Sequence, residues 1–234
     1  MPSVQTERKI DIACLIVFPL ICVFGFLLAA NGYASNRNHE YAAAVQIACA
    51  LTVIVLPLLR IKKMFFAPYW FIAIMTANIF MFSFMVLFGT YDDIWWWSPF
   101  THWLSGMLVT MIVFMALLVI KNYTTRISLP NGVLLFITFM VGMAFGLLWE
   151  MWETLMDVIY GEPTMVYNTS GTIRDLYMDA LGSLTMIIIG AILLRHRRPD
   201  QIIGRIGLDH KMKTIGEKWD RRCDGKPRAK RDLK

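Results

Sequence analysis

Six stretches of this chain carry almost only apolar side chains: residues 12–30, 41–59, 69–88, 100–120, 133–159 and 173–194. About 20 helical residues span the roughly 30 Å of a bilayer's hydrocarbon core, so each run is long enough to cross. The pattern predicts an all-α fold, a polytopic membrane helix bundle of six transmembrane helices. The first run exceeds the roughly 7–15 apolar residues of a signal-peptide core and reads as a retained helix. Pro19 and Pro57 lie inside the first and second runs and predict kinks there. The link before the fourth run reads GTYDDIWWWSP, where Trp95, Trp96 and Trp97 form an aromatic belt at the membrane surface. The link before the sixth run is rich in Gly, Pro, Asn and Ser and reads as a loop.

Composition supports the same picture. Hydrophobic residues make up 57% of the chain and charged residues 17%, with a mean hydropathy of +0.53. Soluble domains carry about 25% charge. A soluble globular domain, a disordered chain and a disulfide scaffold are thereby excluded.

The charge is unevenly placed. Residues 195–234 hold 14 Lys and Arg against 6 Asp and Glu, whereas the first 194 hold 9 against 11. The chain therefore divides into a transmembrane domain, 1–195, and a basic cytoplasmic tail, 196–234. In the tail Ile202, Ile206, Leu208, Met212, Ile215 and Trp219 recur at roughly helical spacing among basic residues. They predict an amphipathic helix lying on anionic lipid. The expected partners are the lipid bilayer, anionic lipid at the tail and a membrane-protein partner, but no nucleic acid.

Lys and Arg also set the orientation. Arg8, Lys9, Arg60, Lys62, Lys63, Lys121, Arg126 and the tail fall on one side of the predicted bundle, and only Arg37 and Arg174 on the other. Both termini are therefore expected in the cytoplasm, with the chain multi-pass in the plasma (inner) membrane.

Ionisable groups inside a spanning helix cost roughly 2.5–3.5 kcal/mol each on insertion scales, and they usually mark function. The fifth run contains GLLWEMWETLMDVIYG, whose Glu150, Glu153 and Asp157 are spaced to share one helix face. Asp175 and Asp179, four apart, open the sixth run, and His102 lies one turn into the fourth. The predicted topology puts all six in the outer half of the bilayer. Five carboxylates facing His102 and Arg174 cannot all remain ionised at low dielectric. Protonation, a bound divalent metal or a cationic substrate would resolve the conflict. A carboxylate–imidazole set suits zinc, manganese or iron. The candidate metal ligands are His102, Glu150, Glu153, Asp175 and Asp179, and the candidate catalytic groups are Glu150, Glu153 and His102. Asp157 reads as an outer gate.

Structural roles compete for several of these positions. Thr172 and Asp175 fit a capping box, and Ser98-Pro99 fits a helix cap followed by proline. Asn78 reads as an interhelical hydrogen bond.

The stretches WWWSPFTHWLSG, GLLWEMWETLMDVIYG and GTIRDLYMDALGS resemble the YjdF-type family of bacterial inner-membrane proteins, itself reminiscent of VanZ-like proteins. The resemblance covers about residues 95–194. By position it implies that His102, Ser105, Gly106, Trp149, Glu150, Glu153, Asp175, Asp179 and Gly182 belong to the shared pattern. One position departs: the family carries an acid four residues before the histidine, where this chain has Ser98.

Three functions fit these residues. The first is a metal-dependent hydrolase or transferase on lipid-linked or envelope substrates. The second is a noncatalytic subunit or accessory protein of a membrane complex. The third is a proton or divalent-cation carrier, against which stands the lack of ionisable groups in the inner half of the last three runs.

Overall fold

A computed structural model describes residues 39–61, 69–88, 94–123, 129–160 and 169–204, together with Ile16, Leu20, Val23, Phe24 and Leu27. Most of the first apolar run, with Pro19, and residues 205–234 of the tail lie outside the described residues, as do Asp92 and Asp93.

The described residues form helices and no strand. They are α1 (His39–Ile61), α2 (Tyr69–Phe88), α3 (Trp97–Tyr123), α4 (Asn131–Tyr160), α5 (Thr169–His196) and a short α6 (Pro199–Gly204). The last five apolar runs thus each become one helix, extended at most a turn beyond the run. By length and composition α3, α4 and α5 are able to cross a membrane, while α1 and α2 contribute the shorter apolar stretches Glu40–Val55 and Ile74–Phe88.

The helices alternate in direction. Tyr41 at the start of α1 meets Tyr160 at the end of α4, ring edge to face at 5.4 Å. Val86 and Leu87 at the end of α2 share a buried cluster with Tyr41, Ala42 and Met156. Trp97, opening α3, donates Nε1 to the Met81 carbonyl of α2 at 3.2 Å. One end of the bundle therefore gathers the starts of α1, α3 and α5 and the ends of α2 and α4.

The heart of the molecule is α3 packed along α5, with α4 closing the third side. Glycine makes this contact feasible. A Cβ on Gly182 would collide with the carbonyl oxygen of Trp103, and one on Gly106 would sit 2.8 Å from the carbonyl oxygen of Asp179. Backbones that approach so closely leave no room for a side chain, the arrangement that small residues allow between membrane helices.

The outward faces carry Phe136, Met140, Phe145, Leu148 and Met151 on α4 and Leu181, Leu184, Ile188 and Ile192 on α5, all exposed. An apolar surface of this kind suits contact with lipid chains.

At the end of the bundle opposite Trp97, Ile202, the one described residue of the expected tail stripe, meets the helices. Ile202 and Ile203 of α6 are buried against Phe114, Leu118, Leu134 and Met186. Ile202 thus packs into protein, and so does Ile203, which helical periodicity had left off the stripe.

Candidate metal centre

Each of the three central helices buries a polar face at the end that holds Trp97. On α4 the buried positions are Leu134, Thr138, Gly142, Gly146, Glu150, Glu153 and Met156, every third or fourth residue. On α5 they include Asp175, Asp179, Gly182 and Ser183, and on α3 Ser98, Thr101, His102 and Gly106. Helical spacing alone therefore turns all five candidate ligands inward. At about 1.5 Å per residue, Glu150 and Asp179 lie roughly 15 Å from the nearer ends of their helices.

His102 is the hub. Its Nδ1 lies 3.4 Å from Asp179 Oδ2 and 3.7 Å from Glu150 Oε1. Its other ring nitrogen, Nε2, lies 3.9 Å from Asp175 Oδ2. One ligand atom each from His102, Glu150 and Asp179 fall within 4.8 Å of one another, and all three residues are buried. Zinc ligands at about 2.0–2.2 Å in a tetrahedron stand roughly 3.4 Å apart, so small side-chain rotations close these three around an ion.

The oxygen aimed at this centre is unsatisfied. Glu150 is 3% exposed, and its Oε1 has no hydrogen-bond partner among the described residues. A buried polar atom left without a partner costs about 1–3 kcal/mol, and more when charged. Gly146 makes room for the neighbouring acid, since a Cβ there would sit 2.7 Å from Asp179 Oδ2.

The other two expected ligands have different surroundings. Asp175 accepts the Ser98 hydroxyl on Oδ2 at 3.1 Å and the Arg174 Nε on Oδ1 at 3.4 Å. Glu153 accepts the Trp149 indole N–H on Oε1 at 2.8 Å, one turn away on the same helix. Its carboxylate still lies within electrostatic range of His102, Glu150 and Asp175.

Two structural readings change here. α5 begins at Thr169, so Thr172 is already inside the helix and Asp175 is turned into the site rather than capping. Ser98 likewise lies inside α3, and its hydroxyl goes to Asp175. Asn78 Oδ1 is buried with no hydrogen-bond partner among the described residues, so the expected interhelical bond is not made by this atom.

Below the centre, Thr110 Oγ1 donates to Ser183 Oγ at 2.9 Å, and Thr138 returns its hydroxyl to the Leu134 carbonyl at 2.8 Å. Beyond them Phe114, Leu118, Leu134 and Met186 form a buried apolar plug. The Thr110–Ser183 pair had no separate signal in the sequence, since Ser and Thr are common in membrane helices. Gly142 and Gly146 did have one: they continue the four-residue spacing of Glu150 toward the middle of α4.

A membrane-type helical protein with a buried His, Glu and Asp group is the class these observations define. Residues 16–196 match the predicted membrane protein (DUF2238) family, and the chain belongs to it. The YjdF-type resemblance agrees with this family, while the VanZ-like comparison rests on the motifs alone. An uncharacterized protein of Thermotoga maritima is 26% identical over 113 residues, 48% of this chain and 57% of that protein. The chain thus spans little more than half the length of this relative. No solved structure matches.

Proposed function

We propose that the protein is a metal-dependent membrane hydrolase or transferase acting on a lipid-linked or envelope substrate. Zinc, manganese or iron would be held by His102, Glu150 and Asp179. The observation that carries this reading is Glu150 Oε1, buried beside His102 Nδ1 without a hydrogen-bond partner among the described residues. A cation supplies the missing partner and balances the surplus of carboxylates, and its chemistry when bound is that of a Lewis acid.

The chain's own groups divide the remaining work. Glu153, steadied by the Trp149 indole, would be the carboxylate that takes a proton from an attacking water. Asp175 and Arg174 stand toward the entrance, where Arg174 is 51% exposed. The exposed Trp95 and Trp96 lie at the same end, and indoles of this kind favour a membrane surface.

The finer topology belongs to the same proposal. Six spans with cytoplasmic termini put the centre in the outer half of an inner membrane, facing envelope substrates. The carrier reading is disfavoured by the plug of Phe114, Leu118, Leu134 and Met186, which ends the polar path partway through the bundle. Metal analysis of the purified chain, with and without Glu150→Ala, tests the proposal. Stoichiometric metal in the parent and its loss in the variant is the expected result.

A further inference from the structure

Resting on the metal reading, we infer that Asp175 is a positioning residue rather than a ligand. It holds His102 through Nε2, so that Nδ1 faces the cation together with Glu150 and Asp179.

The two ring nitrogens of His102 meet different company. Glu150 Oε1 and Asp179 Oδ2 both lie on the Nδ1 side, and among the described carboxylates Asp175 Oδ2 alone pairs with Nε2. The acids differ as well. Both oxygens of Asp175 already accept hydrogen bonds, Oδ2 from Ser98 and Oδ1 from Arg174. Glu150 Oε1 accepts none from the described residues. A cation therefore meets an uncommitted oxygen on Glu150, whereas at Asp175 it competes with contacts that already hold both oxygens in place.

Chemistry assigns Asp175 its task. An imidazole bound to a metal through Nδ1 carries its proton on Nε2. That N–H needs an acceptor, and a carboxylate in this position fixes the ring and strengthens it as a ligand. Asp175 Oδ2, 3.9 Å from Nε2, becomes that acceptor by closing about 1 Å to an ordinary hydrogen-bond length. Ser98 belongs to the same chain of contacts: its hydroxyl steadies Asp175, which steadies His102. The cation is left with three protein ligands. That number leaves a position for substrate, as in catalytic rather than structural zinc sites.

The test loads the full chain, in lipid nanodiscs, with cobalt(II) as the probe. Cobalt reports its ligands through its visible bands. The parent is expected to bind one cobalt per chain, and Asp179→Asn to bind none. Asp175→Asn should keep the stoichiometry and the visible bands, with affinity lowered about 10–100-fold. Ser98→Ala should weaken affinity in the same direction by less, again with unchanged bands. Loss of the bands or of stoichiometry in Asp175→Asn would make it a ligand and overturn the inference. Unchanged affinity in that variant would overturn it too. Should Asp175→Asn not fold, Ser98→Ala decides, and unchanged affinity there counts against the inference. A parent that takes up no cobalt, zinc, manganese or iron refutes the metal reading itself, before any variant is compared.

Discussion

Ser98 and Asp175 join the first turn of α3 to the start of α5 through a buried hydrogen bond of 3.1 Å. The YjdF-type pattern that this chain resembles implies an acid at the Ser98 position. An acid here would face Asp175 directly, and two buried carboxylates at that distance require a proton or a cation between them. The hydroxyl removes that requirement.

Ser98→Asp restores the acid and carries the consequence. In chelator the variant should be destabilised by about 3–5 kcal/mol, the size of an uncompensated buried charge. Added zinc or manganese should recover the loss and raise the metal content above that of the parent. Unfolding in detergent, followed with and without metal, measures both.

Gly182→Ala places a methyl group against the Trp103 carbonyl, where only backbone can yield. Separating α3 from α5 should cost at least the roughly 1–3 kcal/mol of ordinary overpacking. It should also weaken metal uptake, because His102 and Asp179 stand on the two helices being parted. Gly132→Ala is the control of opposite sign. Nothing lies within 4 Å of the added atom, and a helical alanine is favoured over glycine by about 0.8–1.0 kcal/mol. Thermal unfolding should move down for the first variant and slightly up for the second.

The orientation is open to reporter fusions. A reporter active only in the cytoplasm should work at Lys234, and one active only after export should work within residues 161–168. An exported C-terminus would reverse the bundle and move the metal centre to the inner leaflet.

The basic tail should bind anionic vesicles, with each Lys or Arg near the surface contributing about 1 kcal/mol. Binding of a peptide covering residues 205–234 should fall steeply as salt is raised. Binding that ignores salt would mean that apolar contacts or none at all hold the tail.

Much of the helical framework was legible because a single physical demand dominates it. Apolar length marked α1 to α5 to within about a turn, and the three- and four-residue spacings turned Glu150, Glu153, Asp175 and Asp179 to the inside. Periodicity says which face a residue shares, but not which atom it meets on a neighbouring helix. It could not separate Asp179, beside His102 Nδ1, from Asp175, beside Nε2. Ser98 shows the same limit. Its local sequence fits a helix cap, and only α5 docking alongside gives its hydroxyl a stronger partner. Ile203 escaped notice because its burial comes from α3, α4 and α5 rather than from the tail's own period.

Glu150→Gln tests the central claim most directly, because it preserves shape and removes one charge. Metal content and thermal stability are read on the same purified sample, before and after chelation. If a cation holds His102, Glu150 and Asp179 together, the variant loses bound metal and unfolds at lower temperature than the metal-loaded parent, since a ligand bound only to the folded state stabilises it. Chelation should then bring the parent down toward the variant. If the cluster is instead a metal-free network of shared protons, glutamine relieves a buried charge, and the variant matches or exceeds the parent's stability with no change in metal. That second outcome would contradict the account.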